Sequence, residues 1–421
     1  MGTAVFFNLP GATGHINPSL GIVSELIRSG ERVVYYAGPD SHDKLAALGA
    51  VPRQYQPLFD YHHDFAIASD LVALFTRLFQ ISEEATIGLA ARVAADKPDY
   101  IIYDSCTPWG KLVAQRLGVP SIYFVTHIIT TPWMLASRLV WSPRLWQMAA
   151  SSTSPRSVLR AMGVGIGIRR RVMDLVAGLG LPYRGWRTHL HEMFNGGDDL
   201  KIAVTSPDYQ PYSNRLGHTY RFVGASIPAA RDDNDLTFDR APGQRLIYVS
   251  LGTVHNLNNG FYQLCMQVLG NGPHRVLMSV GQNTDIADLG PIPANFTVRN
   301  NMPQLEILKQ ADLFISHGGM NSINESLYFG VPLVMVPQQV EQAFSAFRIA
   351  QFGAGQVIIP RQLTAQRLHR AVEEILGESA YKTRAASFGA TLNQGGHRRA
   401  AREILAQVRD EAVEPRQDMV A

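Results

Sequence analysis

Cysteine is scarce in this sequence, and long apolar runs are absent. Only Cys106 and Cys265 occur among 421 residues, far apart and outside any metal-ligand spacing. They offer no disulfide framework and are typical of a reducing compartment. No apolar run approaches the roughly 20 residues that span a bilayer, and residues 1–14 lack the features of a signal peptide. We therefore expect a soluble, cytoplasmic protein without a transmembrane segment.

An excess of charge of one sign is also missing. The 38 Lys and Arg residues and 35 Asp and Glu residues give a formal net charge of +3, which indicates neither nucleic acid nor an acidic polymer as the partner. Hydrophobic residues make up 46% and charged residues 17% of the chain, as in globular proteins. Because one hydrophobic core rarely serves so long a chain, we expect two domains.

Two stretches of the chain alternate between strand-length apolar runs and helix-like segments. The first covers about 125 residues and includes "PDYIIYD" and "PSIYFVT"; the second begins at "RLIYVSLGT" and reaches "VPLVMVP". Such alternation predicts parallel sheets covered by helices. Residues 206–236 are polar and proline-containing, which favours a linker. We predict domains at 1–205 and 237–395, this linker between them, and a C-terminal helix and tail at 396–421 that could pack back on the first domain.

Arg169–Arg171 form a basic cluster in a segment that is otherwise largely apolar. One interpretation is a helix that rests on a membrane surface or lines an apolar pocket. The other is a solvated basic face of an ordinary helix, which is the more common case.

The stretch "FISHGGMNSINESLYFG" predicts a strand, a glycine turn and a helix. Backbone N–H groups at such a helix start, reinforced by the helix dipole, attract anions, and His317 could add a donor. Ser322 and Glu325 have two interpretations. They match a capping box, or the Glu325 carboxylate accepts hydrogen bonds from a ribose diol.

A longer pattern around His317 resembles a known family. The matching positions are His317, Gly319, Asn321, Ser322, Glu325, Gly330, Pro332, Pro337, Glu341 and Gln342, together with "GHINP" at 14–18, "VSLGT" at 249–253 and "MPQLEIL" at 302–308. They stand as in the UDP-glycosyltransferase family, and the chain is similar to the bacterial branch that glucosylates macrolides and flavonoids. The resemblance implies the GT-B fold, an α/β architecture of two facing Rossmann-like domains with a cleft between them.

The resemblance also implies that the first domain binds the acceptor and the second binds a nucleotide sugar. The implied donor contacts are His317, Gly319, Asn321 and Ser322 with the Gly252–Thr253 turn at the diphosphate, Glu325 at the ribose, Met302 and Gln304 near the base, and Glu341 and Gln342 at the sugar. Two positions depart from the family pattern. Asn301 stands where many relatives have a tryptophan that stacks on uracil, so a thymidine-linked donor stays open beside UDP. Glu341 stands where Asp is common.

Inverting transfer needs a base for the acceptor's proton, and His15 in "LPGATGHINPSL" suits that task because an imidazole titrates near neutral pH. Asn17 and Pro18 suit a helix cap and first turn, so the stretch also resembles a phosphate cradle in which His15 is a spacer. Asp104 ends the apolar run "YIIYD" and should reach the same sheet edge as His15. It would then orient the imidazole; the alternative is an ordinary cap or turn residue.

We expect neither a metal nor any cofactor beyond the UDP-glucose co-substrate, because a helix start and His317 can stabilise the departing diphosphate. Asp233–Asp235 match the D-x-D pattern but lie in the predicted linker, and His62 and His63 are expected in a solvated loop. An apolar acceptor pocket is expected above His15. Its candidates are Phe65, Phe75, Phe79, Trp133, Met134 and Trp141, each of which could equally be a core residue.

These observations favour an inverting transferase that moves glucose from UDP-glucose to a hydroxyl of a hydrophobic small molecule. Two other classes stay open: a nucleotide-sugar epimerase or other enzyme of the same architecture, and a non-catalytic nucleotide-sugar-binding partner subunit. The simultaneous presence of His15 and Asp104 speaks against the last.

Overall fold

The computed structural model describes residues 2–55, 71–129, 155–182, 184–198, 200–228, 239–252 and 258–413. The described chain builds two parallel sheets, one in each half, with helices packed against them. Central strands such as Tyr100–Asp104 and Leu246–Ser250 are buried along their whole length, as expected for parallel strands covered on both faces. The predicted α/β class with two Rossmann-like domains is confirmed.

The first sheet has seven strands in the order β3-β2-β1-β4-β5-β6-β7. The strands are β1 Thr3–Phe7, β2 Arg32–Tyr36, β3 Val51–Arg53, β4 Tyr100–Asp104, β5 Ser121–Val125, β6 Leu200–Ala203 and β7 Tyr220–Phe222. The helices are α1 Thr13–Arg28, α2 His42–Ala47, α3 Leu71–Ala95, α4 Trp109–Leu117, α5 Pro155–Gly178 and α6 Trp186–Asn195.

The second sheet has six strands in the order β10-β9-β8-β11-β12-β13. The strands are β8 Leu246–Ser250, β9 Arg275–Ser279, β10 Phe296–Arg299, β11 Leu313–Ser316, β12 Leu333–Met335 and β13 Gly355–Val357. The helices are α7 Asn259–Leu269, α8 Gln304–Leu308, α9 Met320–Tyr328, α10 Val340–Gln351, α11 Ala365–Gly377, α12 Ser379–Leu392 and α13 Gly396–Val413.

The predicted linker, 206–236, begins too early, because part of it belongs to the first domain. Strand β7 lies inside it and pairs with β6 in parallel register, Lys201 opposite Tyr220. The first domain therefore extends at least to Phe222. Short strands of this kind escaped sequence analysis because a half-buried run of three residues carries no periodic signal.

The C-terminal helix α13 packs on α1, the helix that carries His15. The His397 ring lies so close to Gly21 that a Cβ there would be 2.7 Å from the ring. The connection into α13 is also held by the first domain, since the N–H of Gly396 donates to the carbonyl of Val223 at 2.9 Å.

The basic cluster lies on α5. Arg169 and Arg170 are exposed, and Arg170 is 3.6 Å from Asp174 one helical turn later. This arrangement is that of a solvated basic face. Within the described ranges, no helix combines the length and apolarity needed to cross a membrane.

Candidate active site

His15 lies in the first turn of α1, which residues 8–12 connect to the carboxyl end of β1. The helix begins at Thr13 with Ala12 as its N-cap, and Pro18 lies inside it. The predicted start at Asn17 and Pro18 is therefore wrong: Pro18 lies in the second turn, where its missing N–H leaves the carbonyl of Gly14 without its usual helical donor. The buried amide of Asn8 donates to the carbonyl of His15 at 3.1 Å and so holds this turn in place.

The imidazole of His15 contacts the carboxylate of Asp104. Its Nδ1 is 3.0 and 3.1 Å from the two carboxylate oxygens and 2.8 Å from the hydroxyl of Thr126. That hydroxyl donates to Asp104 Oδ2 at 2.9 Å. Because an ionised carboxylate only accepts, Nδ1 carries the proton and Nε2 keeps its lone pair. The arrangement leaves Nε2 as the atom able to accept a proton.

Burial and charge act in opposite directions on His15. Its side chain is 25% exposed, whereas that of Asp104 is fully buried. Burial of the ring opposes protonation, but the Asp104 carboxylate, its hydrogen bond and the charge of Glu341 outweigh that effect and raise the pKa of His15. The neutral imidazole of His15 is therefore a stronger base than a free imidazole.

Cys106 lies beside the dyad, and its backbone N–H donates to Asp104 Oδ1 at 2.8 Å. Among the described residues, His15, Asp104 and Cys106 are the one group whose donor atoms, all within 4.8 Å of one another, could hold a metal ion. Both oxygens of Asp104 already accept hydrogen bonds, which a metal would have to displace. Burial and the Asp104 charge raise the pKa of the Cys106 thiol well above its usual value, which disfavours the thiolate that metals bind.

In the second domain, β8 and β11 end side by side with the same local pattern. Ser250 lies opposite Ser316 in the register, and each serine hydroxyl accepts from the glycine N–H two residues later. The His317 ring fills the space between these turns. A Cβ on Gly252 or Gly319 would be 2.7 or 2.5 Å from that ring, so both glycines are required for its position.

Helix α9 starts directly after this turn, with Gly319 as its N-cap and no side-chain cap. The capping-box interpretation is therefore wrong: Ser322 lies inside the helix. The buried carboxylate of Glu325 instead accepts from the amides of Gln304, at 2.6 Å, and Asn321, at 2.8 Å. The structure thus brings these predicted donor-site residues together at the amino end of α9, where unpaired N–H groups and the helix dipole favour an anion.

Helix α10 carries the two residues predicted to contact the sugar. Gln342 belongs to a capping box with Gln339, and its Oε1 accepts from the N–H groups of Gln338 and Gln339 at 2.8 and 3.1 Å. Its amide NH₂ is therefore the group that it could offer to a hydroxyl. Burial raises the pKa of Glu341 to about 7, against the opposing influence of His15 and Ser345.

Other predicted residues have different outcomes. Phe79 is 2% exposed and packs among residues of α4 and α5, as a core residue does, and its contact with an acceptor stays a prediction. The side chain of Met302 is likewise buried, whereas Asn301 is exposed. Predicted residues outside the described ranges are Thr253, Phe65, Trp133, Met134 and Trp141, the pairs at 62–63 and 233–235, and, for its side chain, Phe75.

Sequence reasoning missed Thr126, which hydrogen-bonds both members of the dyad. A signal was present, since Thr126 directly follows the apolar run "SIYFV", and β5 lies next to β4. It also missed Asn8, a buried polar residue at the end of β1. Polar residues at adjacent strand ends of a parallel sheet meet at one edge.

The protein has the architecture of a GT-B enzyme, with two Rossmann-like domains. The first domain carries a histidine–aspartate pair, and the second carries a histidine packed between glycines just before a helix. A family model described as "Erythromycin biosynthesis protein CIII-like, C-terminal domain" matches residues 263–395. The chain is 30% identical to a protein named uncharacterized UDP-glucosyltransferase YojK of Bacillus subtilis (strain 168), over 97% of this chain and 98% of that one. It is 28% identical to oleandomycin glycosyltransferase of Streptomyces antibioticus, over 96% and 91% of the two chains.

A solved structure agrees with these sequence matches. The crystal structure of CalG4, the calicheamicin glycosyltransferase, matches with a TM-score of 0.75 at 27% identity, covering 96% of this chain and 97% of that one. The chain therefore belongs to the UDP-glycosyltransferase family, as its sequence motifs predict, and is a glycosyltransferase of the natural-product type.

Proposed function

We propose that the protein is an inverting transferase that moves glucose from UDP-glucose to a hydroxyl of a hydrophobic small molecule, with His15 as the general base. The observation that carries the proposal is the dyad: His15 Nδ1 donates to a buried carboxylate, which leaves Nε2 to accept the acceptor's proton. The resulting imidazolium is stabilised by Asp104, and the alkoxide-like oxygen attacks the anomeric carbon as the bond to the diphosphate breaks.

The departing diphosphate would be held at the amino end of α9. His317, fixed by the two glycines, and the N–H groups of the first helical turn are preorganised donors there. Glu325, with Gln304 and Asn321 hydrogen-bonded to it, would accept from the ribose hydroxyls. Glu341 and the amide of Gln342 would contact the sugar. With these donors in place, no metal is required. The relative named as a UDP-glucosyltransferase supports UDP-glucose as the donor.

A donor and acceptor screen tests the proposal. The protein is incubated with UDP-glucose or thymidine diphosphate glucose and a panel of phenolic and macrolide alcohols, and products are detected by mass. We expect a glucosylated alcohol with UDP-glucose and an unchanged rate when a chelator is added. Strict metal dependence would contradict the metal-free mechanism, and turnover with the thymidine-linked donor alone would contradict the assigned nucleotide.

A further inference from the structure

Within helix α9 a buried asparagine faces the first domain. Asn324 is 2% exposed, and its amide NH₂ donates to the carbonyl of Val204 at 3.0 Å. The hydroxyl of Thr205 donates to its Oδ1, also at 3.0 Å. Val204 and Thr205 directly follow β6, so both hydrogen bonds join the second domain to the sheet of the first.

Loss of either of these two hydrogen bonds would leave a buried polar group without a partner. Thr205 is 3% and Val204 2% exposed, and a buried polar group left without its partner bears the full cost of its lost hydration. Thr205 is itself held in the first domain, since its carbonyl accepts from the N–H of Gly224 at 3.1 Å. An asparagine inside a helix is unfavourable for local structure, which points to a role in this tertiary contact.

The same helix forms the anion-binding end of the donor site. Asn321 and Glu325 lie on either side of Asn324 in α9, and α9 also contacts α1, which carries His15. A second donor-site helix is tied to the same loop, because Arg348 of α10 donates to the carbonyl of Asp208 at 2.7 Å. The loop after β6 is thus the place where both donor-site helices are connected to the domain that holds the base.

We propose that the Asn324–Thr205 pair is a positioning contact that sets the distance and orientation between the donor held on α9 and the base on α1. Both side chains are buried in the contact between the domains. We therefore expect their effect on the geometry of transfer rather than on nucleotide binding, which the proposed function assigns to the second domain. The inference rests on the proposed function insofar as it assigns the donor to α9 and the base to His15.

Kinetics of four variants test the contact. We expect Asn324→Ala to lower kcat about tenfold and Thr205→Val, which is isosteric, about threefold, with the dissociation constant of UDP within about twofold of wild type by calorimetry. Thr205→Ser keeps the hydroxyl and should restore kcat. Ser326→Ala is the matched control, because it removes a buried hydrogen bond of α9 to the carbonyl of Val331 inside the second domain; it should lower Tm but leave kcat unchanged.

An unchanged kcat in both Asn324→Ala and Thr205→Val would overturn the proposal. So would a loss of UDP affinity equal to the loss of kcat, or an equal loss of kcat in the Ser326 control, because either marks a general weakening of the second domain. Thr205→Val keeps the test open if Asn324→Ala fails to fold.

Hydrogen exchange gives a readout that does not need turnover. In the wild type we expect UDP to slow amide exchange in both α9 and α1, and in Asn324→Ala in α9 alone. Equal protection of α1 in both proteins would contradict the coupling. This measurement needs only nucleotide binding. It therefore tests the positioning contact even if the glucosyl-transfer assay shows no product.

Discussion

The two domains share a local strand–turn–helix arrangement with a histidine, but the two histidines are suited to different chemical roles. In each domain an apolar strand leads through a glycine-containing turn to a helix, and a histidine stands beside that turn. His15 lies within its helix and is hydrogen-bonded to a buried carboxylate. His317 precedes its helix and is packed between Gly252 and Gly319.

The difference shows that the partner, not the turn, determines what each histidine can do. A carboxylate makes His15 a stronger proton acceptor. Close packing against backbone keeps His317 in one orientation beside a helix start, where it can serve as a fixed donor. Substitutions can therefore separate a base in the first domain from a diphosphate site in the second.

Replacing His15 removes the proposed base. We expect His15→Ala to lower kcat/KM about 10³-fold, within the range that general base catalysis contributes, while UDP affinity measured by calorimetry is unchanged. His369→Ala, at an exposed position of α11, is the control. Near wild-type turnover of His15→Ala would show that another group takes the proton.

Asp104 should matter through the protonation of His15. We expect Asp104→Asn to lower kcat/KM about 10²-fold and to shift its acid limb to lower pH. The base acts when neutral, so the rate rises with pH through the pKa of His15, and Asp104 is a principal cause of the raised pKa. The pH profile of kcat/KM measures this shift. An acid limb that stays in place would remove Asp104 from this role.

His317 should affect nucleotide binding itself. We expect His317→Ala to weaken UDP binding about tenfold, the cost of one hydrogen bond to a charged group. His274→Ala, a histidine of the same domain outside the donor site, provides the reference. Unchanged UDP affinity would exclude His317 from the diphosphate site.

The glycines beside the two histidines provide a matched pair. A Cβ on Gly319 would be 2.5 Å from the His317 ring, whereas a Cβ on Gly14 would have nothing within 4 Å. We therefore expect Gly319→Ala to displace that ring and weaken UDP binding about fivefold, and Gly14→Ala to leave UDP affinity unchanged. Equal affinities of the two variants in calorimetry would argue that the ring's position is unimportant.

Glu341 of the second domain and His15 of the first influence each other's pKa by charge. Burial raises the pKa of Glu341 to about 7, so the folded state binds this proton more readily than the unfolded state. The resulting stability is complete at pH values below the unfolded pKa of about 4 and is lost as pH rises through about 7. Glu341→Gln should therefore lose about 2–3 kcal/mol less stability than wild type between about pH 5 and pH 8, because about two pKa units of the shift fall in this range.

Denaturant unfolding at the two pH values measures this difference. Glu306→Gln is the control, because Glu306 is half exposed and paired with Lys309 on the surface. An identical pH dependence of wild type and Glu341→Gln would show that Glu341 is ionised throughout.

Much of the fold could be predicted, because strands such as "LIYVS" and helices such as "WGKLVAQRL" carry their own periodicity and end signals. Strand β7 and the start of α1 could not. Strand β7 is too short to show a pattern. Helix α1 begins after Ala12, which cannot cap a helix with its side chain, and its first turn is held instead by the hydrogen bond from the Asn8 amide to the carbonyl of His15. Phe79 illustrates the same limit: its sequence position is compatible with core and pocket alike.

The sequence by itself determined the two α/β halves, the family and the two histidines with the chemistry suited to each, because these follow from periodicity and from residue types at fixed local spacing. The tertiary structure alone decided that Thr126 joins the dyad, that two glycines enclose His317 and that Asn324 reaches Thr205. Asp104 and His15 are 89 positions apart, and Asn324 and Thr205 are 119 apart. Contacts at such separations depend on strand order and domain packing, which no local pattern encodes.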